Sequence, residues 1–151
     1  MDDETLDMLI AFSILGTLCL FTAVLVWKFV KSSFSAGVAV AIVNSVLLFW
    51  ISGAVGIIGS EDNPANLMYG IVFGIVVIGT LIAWGRAQWL KWVMGLAGVS
   101  QAGICMIALI GEMGVDGASW PYDVIVLTVF FTCVWFGSAF LFSRSIQLAQ
   151  P

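Results

Sequence analysis

Five long apolar runs, separated by short polar segments, dominate the chain. A helix that crosses the roughly 30 Å hydrocarbon layer of a bilayer needs about 20 apolar residues, because it rises about 1.5 Å per residue. The runs cover residues 8–27, 36–58, 67–85, 92–111 and 124–143. The sequence therefore predicts a single all-α membrane domain, a five-helix transmembrane bundle.

The composition argues against a water-soluble fold. Of the 151 residues, 62% are hydrophobic and 9% are charged, whereas soluble domains average about 25% charged residues. The acidic start, Met1 to Met8, lacks the basic region of a signal peptide, so the first run is expected to stay as a membrane anchor. So few charged residues cannot cover a protein surface in water, and we therefore expect the chain to lie in a lipid bilayer.

Charges of opposite sign alternate between successive loops. The five basic residues are Lys28, Lys31, Arg86, Lys91 and Arg144. The nine acidic residues are Asp2, Asp3, Glu4, Asp7, Glu61, Asp62, Glu112, Asp116 and Asp123. Five spans place every basic residue on one face of the membrane and every acidic residue on the other. The positive-inside rule then predicts an N-terminus outside and a C-terminus in the cytoplasm.

Aromatic residues cluster near the ends of the runs, as in the belts that line membrane interfaces. One group is Trp27, Trp84, Trp89 and Trp92 at the basic ends; the other is Trp50, Tyr69, Trp120 and Tyr122 at the acidic ends. We expect both groups to lie at headgroup level.

Several classes of function are disfavoured by what the chain lacks. A net charge of −4 argues against nucleic-acid binding. The absence of histidine removes the commonest metal ligand and general base. Apart from the thiols of Cys19, Cys105 and Cys133 and the phenol of Tyr69, the runs hold no ionisable side chain, which argues against a proton relay and against acid–base catalysis. We therefore expect no enzyme activity and no cofactor.

A few polar side chains fall near mid-depth in the predicted spans. They are Thr17, Asn44, Gln101 and Thr132, and all four can share one layer. The interpretation we favour is structural, with amides and hydroxyls bonded across helices. The alternative is a polar lining for a small solute.

Small residues recur at helical spacing. Gly70 and Gly74 form a GxxxG motif, and Gly53, Gly56 and Gly59 recur every three residues. Such positions let helix backbones approach closely, which is a main source of packing energy in lipid. We expect these glycines to pack against helices of this chain or of another.

The most polar loop lies between the second and third runs. Asn63 is expected to cap the third helix, with Pro64 at its first position. A weaker hypothesis is a Ca²⁺ or Mg²⁺ site of oxygen ligands. Its ligands would be Glu61, Asp62, Asn63, Asn66 and Glu112, with Asp116 nearby.

The hairpin from Ser52 to Tyr69, which includes Gly-Ala-Val-Gly-Ile-Ile-Gly-Ser-Glu-Asp-Asn-Pro-Ala-Asn-Leu-Met-Tyr, resembles one in a family of small uncharacterised bacterial inner-membrane proteins. The likeness continues loosely through the basic turn Arg86 to Lys91. It implies a bacterial plasma membrane and four of the five helices, and it implies no activity.

Three functions can be weighed on these grounds. The favoured one is a small non-enzymatic membrane protein whose role the sequence leaves open; one form of it is an accessory subunit, whose partners are other membrane subunits or further copies of the chain. The alternative is a small transporter or channel for a neutral or cationic solute, which the acidic face would concentrate. A membrane enzyme has the least support.

Overall fold

The computed structural model describes residues 32–117 and 119–149, and this part of the chain is helical and without strands. Its helices are α1 (Ser33–Ala54), α2 (Tyr69–Ala83), α3 (Ala87–Ile110) and α4 (Tyr122–Leu148), and a 3-10 helix (Pro64–Met68) leads into α2. Four helices are long and apolar enough to cross a membrane. The predicted first span, residues 8–27, lies outside the described residues, and so does Thr17.

The helices match the last four predicted runs, and their ends differ from the predicted ones by up to five residues; α3, for example, begins at Ala87, five residues before the predicted start. α1 stops at Ala54, four residues before the predicted end, because the chain turns at Gly56, whose φ is 79°. α4 continues to Leu148, five residues beyond the predicted run. Apolarity marks only the stretch suited to lipid, whereas a helix continues into polar surroundings until its hydrogen bonding is interrupted.

α4 lies at the centre of the packing, against both α1 and α3, while α2 packs against α3. The Ser138 hydroxyl donates a hydrogen bond to the Gly37 carbonyl at 2.9 Å. The Asn44 amide donates to the Phe131 carbonyl at 3.4 Å. The later residue of α1, Asn44, bonds to the earlier residue of α4, Phe131, so these two helices are antiparallel.

This arrangement separates the charges of the described residues between two ends of the bundle. Phe34 of α1 contacts Phe142 of α4, at the end where α2 also turns into α3. We call it the basic end; it carries Arg86, Lys91 and Arg144. The opposite, acidic end carries Glu61, Asp62, Glu112, Asp116 and Asp123.

Glycines allow the closest contacts between helices. A Cβ on Gly37 would lie 3.1 Å from the Phe142 ring, and one on Gly98 would lie 3.3 Å from the Trp135 Cβ. Trp135 and Phe142 are in turn among the most deeply buried side chains. Two glycines therefore let the large aromatic side chains of α4 reach the backbones of α1 and α3.

We expect Gly98→Leu to lower the free energy of unfolding by about 1–3 kcal/mol, because the new side chain must displace Trp135 and Phe136. Thermal unfolding in a mild detergent measures the change. Gly103→Leu is the matched control on the same helix, since no described atom lies within 4 Å of its Cβ position. Equal loss of stability in both variants would contradict the packing described for Gly98.

Candidate functional site

Two clefts lie between α1 and α2, one after the other along the bundle. The basic-end cleft, about 430 Å³, has walls of Val38, Ile42 and Val46 from α1 and of Val77 and Leu81 from α2. The acidic-end cleft, about 500 Å³, lies between Ser52 and Gly53 on one side and Gly70 on the other, under the Glu61–Asn66 turn. Both clefts are mostly apolar, so they suit an apolar occupant better than a hydrophilic solute.

A single aromatic contact separates the two clefts. The rings of Phe49 and Phe73 meet edge to face, with centroids 5.9 Å apart. Elsewhere α1 and α2 do not pack closely on each other, although they follow one another in the chain. The surface between these two helices is therefore the candidate site for binding.

The turn above the acidic-end cleft is held by one side chain. The Asn66 Oδ1 accepts hydrogen bonds from the backbone N–H groups of Ile57 and Ile58, both at 2.9 Å. Its Nδ2 donates to the Ser60 carbonyl at 2.9 Å. Ile57 and Ile58 are fully buried outside any helix. Asn66 therefore supplies the partners that a helix would otherwise give to these N–H groups.

Asn63 joins the two loops of the acidic end. Its Oδ1 accepts from the Ala65 N–H at 2.9 Å, and Pro64 follows as the first residue of the 3-10 helix, so the predicted cap is confirmed. Its Nδ2 donates to the Met113 carbonyl in the α3–α4 loop. Beside it the backbones of Gly59 and Gly114 touch, since a Cβ on Gly59 would lie 3.2 Å from the Gly114 Cα.

The five residues proposed as metal ligands do not come together around one point. Glu61, Asp62 and Glu112 are exposed, while the side chains of Asn63 and Asn66 bond to backbone groups of the loops. Within residues 32–117 and 119–149 no three acidic, cysteine or histidine side chains come together as a metal site. The local geometry thus favours capping and loop closure at this end of the bundle.

The glycines expected to pack helices divide into two groups. Gly56 and Gly59 lie beyond the end of α1 and adopt positive φ, so they form the turn and do not extend a helix face. A side chain on Gly56 would collide with the Ser60 backbone. For Gly53, Gly70 and Gly74, by contrast, no atom of the described chain lies within 4 Å of a Cβ position.

The polar layer lies inside the bundle. Asn44 and Gln101 are buried, and the Thr132 hydroxyl is also shielded. Neither amide lines either cleft. Beyond the bond from Asn44 to Phe131, the Asn44 Oδ1 and both amide atoms of Gln101 have no hydrogen-bond partner among the described residues. The three described members of the layer, Asn44, Gln101 and Thr132, thus lie within the helix packing and away from both clefts.

Several buried polar groups were not anticipated from the sequence. Tyr69, assigned above to an interfacial belt, is 1% exposed, and Thr128, Trp135 and Ser138 are buried with it. Trp135 carries a signal that could have identified it, because it lies in the middle of its predicted run, far from either interface. Tyr69 and Ser138 carry no such signal, since their burial depends on which way each helix faces.

We expect Asn66→Ala to lower the free energy of unfolding by about 2–4 kcal/mol, because two buried N–H groups lose their acceptor and each unpaired group costs about 1–3 kcal/mol. Thermal unfolding in detergent measures this loss. Asp62→Ala, at an exposed position of the same turn, should leave stability unchanged. A drop in stability on adding a chelator, shared by Asp62→Ala, would instead support the metal site.

Comparison with known proteins returned no relative. No family model matches the chain, no curated protein matches it and no solved structure matches its fold.

Proposed function

We propose that this protein is a non-enzymatic accessory subunit of a larger membrane complex, and that it binds its partner through the α2 face that carries Gly70 and Gly74. The observation behind this proposal is that both glycines face open space, while Gly37 and Gly98 are used in internal contacts. In lipid, small residues at helix interfaces are the usual means of association. A GxxxG pair left free by the described helices is therefore suited to another protein's helix.

The closed interior favours this function over the alternative of a small transporter or channel. A solute path needs polar groups that border open space, and Asn44 and Gln101 are packed inside the core. The basic-end cleft is walled mainly by aliphatic side chains, and the exposed surface of the acidic-end cleft is mostly apolar although Glu61 and Asp62 lie at its rim. Both features suit helix binding.

The proposed topology has five spans, with residues 8–27 as the first, the N-terminus outside and the C-terminus in the cytoplasm. Its support is the division of charge between the two ends of the bundle, together with the positive-inside rule. The resemblance of the Ser52–Tyr69 hairpin supports a bacterial inner membrane as the location.

Gly74→Leu and Gly70→Leu should abolish co-purification of the partner, because the larger side chain separates the two helix backbones. The native protein is purified in mild detergent and its companions are identified by mass spectrometry. Gly137→Leu is the control, on an exposed part of α4 where no described atom lies within 4 Å of the Cβ position. A wild-type protein that runs alone at monomer mass would remove the reason for proposing a subunit.

Single cysteines should report the topology. At Ser60 and Ser119 we expect labelling by a membrane-impermeant maleimide added to intact cells, because both loops belong to the acidic end. At Ser33 and Gln88 we expect labelling only after the membrane is permeabilised. Labelling of Gln88 from outside would reverse the proposed orientation.

A further inference from the structure

The basic-end cleft is open at its side and closed at its inner end. Ile42 and Val77, which belong to its two walls, are 59% and 58% exposed, so the cleft faces the surroundings of the bundle. The contact between Phe49 and Phe73 separates it from the acidic-end cleft. An occupant therefore enters from the side or from the basic end, and it stops before that contact.

The length of the cleft corresponds to one leaflet of a bilayer. On α1 its lining begins at Val38 and ends eight residues later at Val46, a rise of about 12 Å. The whole hydrocarbon layer is about 30 Å thick, so each leaflet contributes about 15 Å. A spanning helix needs a path through both leaflets, which the contact between Phe49 and Phe73 interrupts. The acyl chain of a lipid needs a path through only one leaflet.

The surface of the cleft also suits an acyl chain. Its walls are mainly aliphatic, and its floor is formed by Leu90 and Met94 of α3 and by Phe142 of α4. The Ser45 hydroxyl, on the α1 wall, donates to the Ala41 carbonyl at 2.8 Å, so its proton already has a partner within α1. Atoms that line a gap lose dispersion contacts, and an apolar chain restores them.

The mouth of the cleft lies at the positively charged end of the bundle. Leu90 belongs to the floor, and its N–H donates to the Arg86 carbonyl at 3.1 Å. Arg86 thus lies one helical turn nearer the basic end, and it is exposed. The acidic residues of the described chain all lie at the opposite end. A headgroup held at this mouth therefore meets positive charge that no carboxylate of the described residues opposes.

Two helix N-termini add to the positive potential at this end. α1 begins there at Ser33, and α3 begins there at Ala87. The positive end of each helix dipole favours negative charge within about one turn. Lys91 and Arg144 lie at the same end. A headgroup with a net negative charge gains more from this potential than a zwitterionic one, whose own cation opposes it.

We propose that the basic-end cleft binds one anionic glycerophospholipid, with an acyl chain between α1 and α2 and the phosphate beside Arg86. The lipid supplies contacts that these two helices do not make with each other. The site is separate from the partner-binding face, since neither Gly70 nor Gly74 lines this cleft. Lipid and partner can therefore bind at the same time, and either proposal can fail alone.

Lipid titration of the full-length protein tests the site. The protein is stripped of lipid in a mild detergent, and phosphatidylglycerol or phosphatidylcholine with the same acyl chains is added. Native mass spectrometry counts the lipids that stay bound. We expect one phosphatidylglycerol per chain at concentrations at which phosphatidylcholine does not bind. Equal binding of both lipids would overturn the proposal. So would the absence of bound lipid, which is the result expected if another part of the chain or a second copy fills the cleft.

Val77→Trp and Ile42→Trp should each abolish this binding, because the indole fills the cleft from one wall. Ile78→Trp is the matched control, since Ile78 is 59% exposed on the same helix as Val77 and lines neither cleft. All three positions are exposed, so thermal unfolding without lipid should stay near that of the wild type and shows that the variants are folded. Undiminished binding in Val77→Trp and Ile42→Trp would place the lipid elsewhere and overturn the proposal.

Arg86→Gln should weaken phosphatidylglycerol binding about fivefold, the contribution of one basic residue near an anionic headgroup. Arg144→Gln is the matched control, because it removes the same charge at the same end. Arg144 follows Phe142 by two residues, which places it about 200° around α4 from the side chain that lines the cleft. Equal weakening by both changes would overturn the placement of the phosphate beside Arg86.

Discussion

Helices in a bilayer gain nothing from hiding apolar side chains, because lipid is as apolar as the side chains themselves. Cohesion must come from close contact and from hydrogen bonds, and the α1–α4 pair has both. Gly37 brings its backbone against the Phe142 ring, while its carbonyl accepts the Ser138 hydroxyl. Asn44 adds a second bond to the backbone of α4 at Phe131. The central position of α4 depends on contacts of this kind.

Hydrogen bonds to the backbone are also needed at the acidic end, where the chain leaves α1. Ile57 and Ile58 are buried without helical hydrogen bonds, and Asn66 replaces those bonds with its own carbonyl oxygen. Asn63 then ties this turn to Met113 in the neighbouring loop. Asn63 and Asn66 carry oxygen atoms of the kind that bind metals, but both side chains are used in hydrogen bonds to backbone groups.

The positions of the polar and small residues favour helix binding over solute transport. The amides of Asn44 and Gln101 are enclosed among the described helices and line neither cleft. Gly70 and Gly74 of α2 face outward, whereas Gly79 of the same helix packs against Val93 of α3. A surface of this kind suits contact with another helix, which is the support for the proposed binding face at Gly70 and Gly74.

The sequence by itself determined the helical membrane class, the four described spans and the cap at Asn63, because span length, apolarity and capping are local properties of the chain. It also determined the separation of Arg86 and Arg144 from Glu61 and Glu112, since loop order sets which end each charge reaches. Only the tertiary structure decided which face of each helix turned inward. Gly37 and Gly98 became packing sites while Gly70 and Gly74 have no neighbour within 4 Å among the described residues, and Tyr69 is buried against other helices. Nearly uniform apolarity around each helix removes the amphipathic signal that would orient it, so rotation and neighbours are set by shape complementarity between helices.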